Sequence, residues 1–173
     1  MGLGQTMLSA GFLVLMIMIT ISANRMLMES SQTAYEAESV NIAADLANAL
    51  ITEATRKKFD HNQASYVGNV NVFTASANFG PESGEVLSVI PDVAPFKSVS
   101  KFNDIDDYHG YVRNVDGQSL KGFVITAKVS YVKDRFTPDQ NVTYPTLLKR
   151  IDVTVTHPLY IPSGFSLTRI LTF

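Results

Sequence analysis

The first part of the chain is a run of apolar side chains without charge. No Asp, Glu, Lys or Arg occurs before Arg25. Its large apolar residues are Leu8, Phe12, Leu13, Val14, Leu15, Met16, Ile17, Met18, Ile19 and Ile21. On a helix they would cover every side rather than one stripe, and such a helix must be buried in lipid or in other protein. Residues 1–24 would span about 36 Å as a helix, enough to cross a bilayer core of about 30 Å.

The next segment, residues 25–58, continues the helical pattern but adds a polar side. Neither Pro nor Gly occurs between Phe12 and Val67, so the sequence contains no helix breaker there. The residues at helical spacing that we expect to pack against the rest of the chain are Val40, Ala43, Ala47 and Leu50, with Ala54, Ile42, Leu46 and Ile51 extending the same stripe. The acidic residues assigned to the outer side are Glu29, Glu36, Glu38, Asp45 and Glu53. Together the two segments predict one helix of about 55 residues.

The remaining residues, 59–173, have the pattern of a β-rich head. Segments rich in Val, Ile, Tyr, Phe and Thr alternate with clusters of Gly, Pro, Asn and Asp. The predicted strands are Val67–Ala77, Gly122–Lys133, Lys149–Thr156 and Ser166–Phe173. Alternation places the apolar residues of the second and third of these strands on one face each, namely Phe123, Ile125, Ala127, Val129 and Tyr131, and Ile151, Val153 and Val155. Residues 80–119 are irregular and are predicted to form a long surface excursion. The fold class is therefore α+β: a long N-terminal helix, apolar in its first half and amphipathic in its second, packed on an antiparallel β-sheet head.

Composition limits the function classes. The net charge is −2, from 14 basic and 16 acidic residues, so no nucleic-acid partner is expected. The absence of cysteine excludes disulfides, zinc-thiolate sites and thiol nucleophiles. His61, His109 and His157 stand singly, and no nucleotide-binding or nucleophile motif occurs. We therefore expect neither enzymatic activity nor a bound cofactor.

One stretch has the residue types of a calcium loop. Residues 103–107 read Asn-Asp-Ile-Asp-Asp, and calcium prefers several oxygen ligands supplied by a loop. The stretch lacks the spacing and the distal Glu of an EF-hand. The preferred interpretation is therefore a set of solvated turn residues, and no metal ligand is assigned. A calcium-dependent melting temperature would favour the alternative.

Three interpretations of the apolar segment compete. A secretory signal peptide would have a basic region before a short apolar core, whereas here no Lys or Arg precedes a long one. A plain membrane anchor would usually be followed by a flexible linker, and the helical pattern here continues without one. The third interpretation is a helix that lies first in a membrane and later in the centre of a fibre.

The continuous apolar-then-amphipathic helix before a β-rich head resembles type IV pilins and pseudopilins. The pair 149–156 and 166–172 also looks like the last strand pair of several minor pilins. The resemblance implies that the N-terminal halves of many copies bundle in a fibre core. The core-packing residues it implies are Leu8, Phe12, Leu13, Leu15, Met16, Ile17 and Ile19. It also implies a prepilin peptidase and a pilus assembly machinery as partners.

The resemblance assigns a role to Gln5. If Met1 begins the processed chain, as we expect, Gln5 falls where the family usually has a Glu that neutralises the N-terminal amine of a neighbouring subunit. In the alternative, Met1 is the initiator and cleavage after Gly4 makes Gln5 the new N-terminus. Gln5 can accept a hydrogen bond from that amine but cannot cancel its charge.

The resulting hypothesis is the major subunit of an extracellular, homopolymeric cell-surface pilus with a pool in the cytoplasmic membrane before assembly. Adhesion, motility and DNA uptake all remain open as its role. The alternatives are a minor pilin or pseudopilin of a pilus or type II secretion machine, and a membrane-anchored binding domain.

Overall fold

The computed structural model describes residues 2–116, 121–137 and 140–173. Helix α1, Leu3–Thr55, is a single helix of 53 residues, which confirms the predicted long helix. After Thr55 the backbone closes two tighter turns, in which Arg56 N–H donates to Glu53 O and Lys57 N–H donates to Ala54 O. The chain divides into two compact units, the first ending at Glu38 and the second beginning at Ser39.

The second unit contains a five-stranded antiparallel sheet. Its strands are β1 (Val112–Val115), β2 (Phe123–Val132), β3 (Asn141–Val142), β4 (Leu148–His157) and β5 (Ile161–Thr172). The order across the sheet is β1-β2-β4-β5, and the short β3 pairs with the last two residues of β2. Each main strand is antiparallel to its neighbour, which confirms the predicted antiparallel sheet and the α+β fold class.

Alternation along β2 and β4 produces the core face of the sheet. The predicted inward residues of β2 are all buried: Phe123, Ile125, Ala127, Val129 and Tyr131. Those of β4 are buried opposite them, with the pairs Ile125–Val155, Ala127–Val153 and Val129–Ile151 in register. The period of two therefore identified this face correctly, since side chains on a strand point alternately to its two sides.

The second half of α1 packs against this sheet. Ala43, Ala47 and Leu50 are fully buried, as predicted, and the small alanines permit the close approach of helix and sheet. The assignment of Val40 is wrong, because its side chain is 43% exposed and the neighbouring Ser39 is buried instead. From Ser39 the fully buried residues follow at spacings of four or three, at Ala43, Ala47, Leu50 and Ala54. Val40 comes one residue after Ser39, so its side chain is rotated about 100° around the helix, away from this stripe.

Two predictions for the head are wrong. The segment 67–77 is not a strand but contains the short 3₁₀ helices Val70–Val72 and Ser76–Asn78. The side chain of Asn69 accepts a hydrogen bond from Asn71 N–H, which favours a local turn over strand pairing.

The segment 80–119 is not simply a surface excursion. It contains the short helix α2 (Ser98–Lys101), a 3₁₀ turn and strand β1. Its large side chains that are buried in the core are Leu87, Phe102, Ile105, Tyr108 and Tyr111. Residues that look irregular by periodicity therefore complete the core, because single buried aromatics need no periodic pattern.

Candidate functional site

The first half of α1 presents apolar side chains on all sides. The seven residues predicted for core packing are at least half exposed: Leu8, Phe12, Leu13, Leu15, Met16, Ile17 and Ile19. An 18-residue window of this helix has a mean hydropathy of 2.1 and no buried residue. Among the described residues it is the one helix long and apolar enough to cross a membrane. This surface is stable only when lipid or other protein covers it.

Gln5 lies in the first turn of this helix. Its backbone N–H donates to Gly2 O over 2.8 Å, and its carbonyl oxygen accepts from Ser9 Oγ over 2.9 Å. The residue is exposed, so its side-chain amide is accessible to a neighbouring molecule. Met1, whose amine the resemblance pairs with Gln5, lies outside the described residues.

The end of α1 carries a buried ion pair. Glu53, which the sequence pattern placed on the outer side of the helix, accepts a 2.7 Å hydrogen bond from Arg113 Nη2 of β1. Its other oxygen accepts from Tyr108 Oη and from Ser98 Oγ, each over 2.9 Å. The outer-side assignment of Glu53 is therefore wrong, because partners on distant segments surround its carboxylate.

A second carboxylate extends this network. Arg113 Nε donates to Tyr111 Oη over 2.8 Å, and that hydroxyl donates to Asp92 Oδ2 over 2.8 Å. Asp92 also accepts from the backbone N–H groups of Lys97 and Ser98, each over 3.1 Å. Burial alone would raise the pKa of Asp92, but these hydrogen bonds and the charge of Arg113 lower it below its usual value.

Lys149 is fully buried on the inward face of strand β4. Its Nζ donates to Phe59 O over 2.7 Å, to Asp60 Oδ2 over 2.9 Å and to Asp106 Oδ1 over 2.6 Å. The sequence pattern identified Lys149 only as the first residue of a predicted strand. The parity of β4 could have found it, because Lys149 falls on the same side as the inward-facing Ile151.

The acidic stretch predicted to be solvated is instead buried. Asp104, Asp106 and Asp107 are each at most 1% exposed, which contradicts the interpretation as solvated turn residues. Asp104 Oδ1 accepts from the N–H groups of Asp106 and Asp107, and Asp107 Oδ2 accepts from those of Asn103 and Asp104. The carboxylates of Asp104 and Asp107 therefore stabilise this turn and are buried together with it.

The buried acids are poorly neutralised. Burial, followed by the neighbouring Asp106, raises the pKa of Asp104 to about 9. Burial raises the pKa of Asp107 to about 7 despite the two backbone hydrogen bonds that lower it, and the charges of Glu85 and Glu82 raise it further. At neutral pH Asp104 is therefore protonated and Asp107 is only partly ionised, because negative charge is unfavourable in this buried cluster.

Two glutamates from the preceding loop complete the cluster. One carboxylate oxygen from each of Glu82, Glu85 and Asp107 lies within 4.8 Å of the others. A second group of ligand atoms at that spacing comes from His61, Glu82 and Asp104. In the sequence His61 stands alone and neither glutamate belongs to a motif, because these residues are far apart along the chain.

No protein-family model, curated protein or solved structure matches this chain. The class that the structure itself defines is an α+β protein whose long N-terminal helix packs on an antiparallel sheet and can cross a membrane by length and composition.

Proposed function

We propose that this chain is the major structural subunit of an extracellular filament of the type IV pilus kind. The observation that carries the proposal is the composition of α1. Its first half is apolar on every side and exposed, whereas Ala43, Ala47 and Leu50 in its second half are buried against the sheet. One continuous helix thus provides both an uncovered apolar surface and an attachment to a folded head.

The exposed surface requires a cover of matching chemistry. Burial of each large apolar side chain is favourable by about 1.5–3 kcal/mol relative to water. Lipid and a bundle of identical apolar helices satisfy this requirement about equally. In the proposed cycle the helix resides in the cytoplasmic membrane and then moves into the filament core, so its apolar surface never faces water.

The protein partner that we propose for this surface is a second copy of the same chain. A bundle places Leu8, Phe12, Leu15 and Ile19 of one copy against the equivalent surfaces of its neighbours. Gln5 would accept a hydrogen bond from a neighbouring N-terminal amine if the processed chain begins at Met1. A prepilin peptidase and an assembly machinery would act before and during this transfer.

The test examines the cell surface of the native host by shearing, electron microscopy and mass spectrometry of the sheared material. The proposal predicts filaments in which this chain is the main component. Leu15→Lys and Ile17→Lys should abolish them, because a lysine in an apolar core has no partner for its charge. The matched control is Val67→Lys, at a loop position of the head that is 90% exposed.

A membrane readout separates the alternatives. Phe12→Ala keeps the helix apolar but removes a large packing side chain, so it should reduce filaments while the chain stays in the membrane fraction. Normal filaments from Leu15→Lys would rule out the bundle. If filaments contain the chain only as a trace component, it is a minor pilin or pseudopilin. Membrane retention without any filament would instead indicate an anchored binding domain.

A further inference from the structure

Buried oxygen atoms without partners gather at one place in the head. The atoms buried there that lack a hydrogen-bond partner among the described residues are Glu82 Oε2, Glu85 Oε2, Asn103 Oδ1, Asp104 Oδ2, Asp106 Oδ2 and Asp107 Oδ1. Buried polar atoms in folded proteins are nearly always paired, and an unpaired buried carboxylate oxygen is especially unfavourable. A concentration of such atoms in one small region therefore requires a partner that the chain does not supply.

The nearby cation does not meet this need. Lys149 Nζ is bound to Asp60 and to Asp106 Oδ1, so it neutralises that side of the cluster only. Within residues 2–116, 121–137 and 140–173, no Lys or Arg forms an ion pair with Glu82, Glu85, Asp104 or Asp107. Carboxylate oxygens of Glu82, Glu85 and Asp107 nevertheless converge within 4.8 Å of one another.

From these unpartnered, converging oxygens we infer that the head binds a calcium ion, held by the carboxylates of Glu82, Glu85 and Asp107, with Asp104 and the Asn103 side-chain oxygen beside them. Calcium takes six to eight oxygen ligands, including monodentate and bidentate carboxylates and amide oxygens. The donor set disfavours zinc and copper, since in the candidate groups formed by the described residues His61 alone offers nitrogen against several carboxylates, and the chain has no cysteine. This inference concerns the head and does not depend on the proposed filament.

The ion would tie the acidic segment to the end of the long helix. Lys58 N–H donates to Asn103 O, and Ile105 N–H donates to Lys58 O, so the proposed ligand segment runs beside the residues that follow α1. Glu82 and Glu85 come from a separate loop. A shared ion would therefore join this loop to the segment next to the helix, and its removal would release both.

The first measurement is thermal unfolding of the full chain in detergent, with calcium and with a chelator, together with calorimetric titration of calcium. At calcium concentrations about a hundredfold above Kd, the melting temperature should rise by about 5–10 °C. Magnesium should have a smaller effect, because it requires a tighter, nearly octahedral arrangement. No shift with calcium, or an equal shift with magnesium, would overturn the assignment.

Two variants locate the site. Asp107→Asn should remove the calcium-dependent shift and, in chelator, should melt no lower than the wild type, because its amide oxygen replaces Oδ2 as acceptor of the turn's N–H groups and the repulsion from Glu82 and Glu85 is removed. Glu82→Gln should also remove the shift, and its side chain holds none of the turn's backbone hydrogen bonds. The control is Asp45→Asn, an exposed acid on α1 that should retain the full shift. If both cluster variants keep the calcium-dependent rise in melting temperature of the wild type, the proposed site is disproved.

Discussion

Glu53 near the end of α1 and Arg113 of β1 form an ion pair 2.7 Å long, with side chains that are 15% and 6% exposed. Sixty positions separate the two residues in the sequence. The pair joins the long helix to β1, which is the edge strand on the opposite side of the sheet from β5. Two hydroxyls support it, because Tyr108 Oη donates to Glu53 and Ser98 Oγ accepts from Arg113. It thus resists separation of the helix from the head.

Removal of one partner of this pair should destabilise the head. Glu53→Ala leaves the buried guanidinium of Arg113 without its ion-pair partner, and Asp92 interacts with it only through the Tyr111 hydroxyl, so the free energy of unfolding should fall by about 3–5 kcal/mol. Denaturant titration of the full chain in detergent measures the change. The control Asp45→Ala removes an exposed acid from the same helix and should change stability by less than about 0.5 kcal/mol. Equal effects of the two substitutions would contradict a structural role for the pair.

Lys149 should be essential only while its carboxylate partners are charged. Lys149→Met leaves Asp60 and Asp106 buried without their shared cation, and the head should lose about 3–5 kcal/mol of stability. Adding Asp60→Asn and Asp106→Asn should restore part of that loss, because the three neutral side chains no longer require a counterion. Denaturant titration of both variants provides the comparison. A triple variant less stable than Lys149→Met would show that the loss does not come from uncompensated charge.

Asp92 should make the head sensitive to acid. Its folded-state pKa is lowered, so its carboxylate stabilises the fold at every pH above its unfolded value of about 3.9. That contribution is lost as the pH falls through the lower folded-state pKa. The stability difference between wild type and Asp92→Asn should therefore be full near neutral pH and shrink in acid below about pH 4. Unfolding measured across this range tests the expectation, and a constant difference would refute it.

Gly164 should be intolerant of any side chain. Its φ is +79°, and a Cβ there would lie 2.9 Å from Thr154 Cγ2 on the neighbouring strand. Gly164→Ala should cost more than about 1 kcal/mol, because backbone strain and a steric clash add. Gly68→Ala is the matched control, since Gly68 also has a positive φ of +96° but has open space around it. Thermal unfolding should show a larger loss of stability for Gly164→Ala than for Gly68→Ala. Equal losses would mean that backbone strain alone causes the effect, without the clash.

Patterns among residues close together in the sequence predicted the long helix and the buried faces of the two central strands. The uninterrupted run without Gly or Pro predicted α1, and the alternation in β2 and β4 predicted their buried faces. The same reasoning failed at 67–77, where residues of high strand propensity form 3₁₀ turns. Strand formation depends on a partner strand, and the sequence contains no information at that point about whether one is adjacent.

The candidate sites divide in the same way. The apolar surface of α1 could be identified from sequence, because the absence of charge over its length sets the solvent it requires. The proposed calcium-binding cluster could not be identified from sequence, although residues 103–107 have the residue types of a calcium loop. Periodicity contains no signal that those carboxylates turn inward, or that Glu82 and Glu85 meet them.

The sequence by itself thus determined a long helix of two characters, the parity of the central strands and the need of the first half for an apolar surrounding. These follow from interactions between residues a few positions apart and from the solvent preference of a continuous segment. Only the tertiary structure decided which charges are buried. Lys149 meets Asp106 across 43 positions and Phe59 across 90, and Glu53 meets Arg113 across 60. A buried charge is stable only beside its partner, so its position depends on the folded chain as a whole.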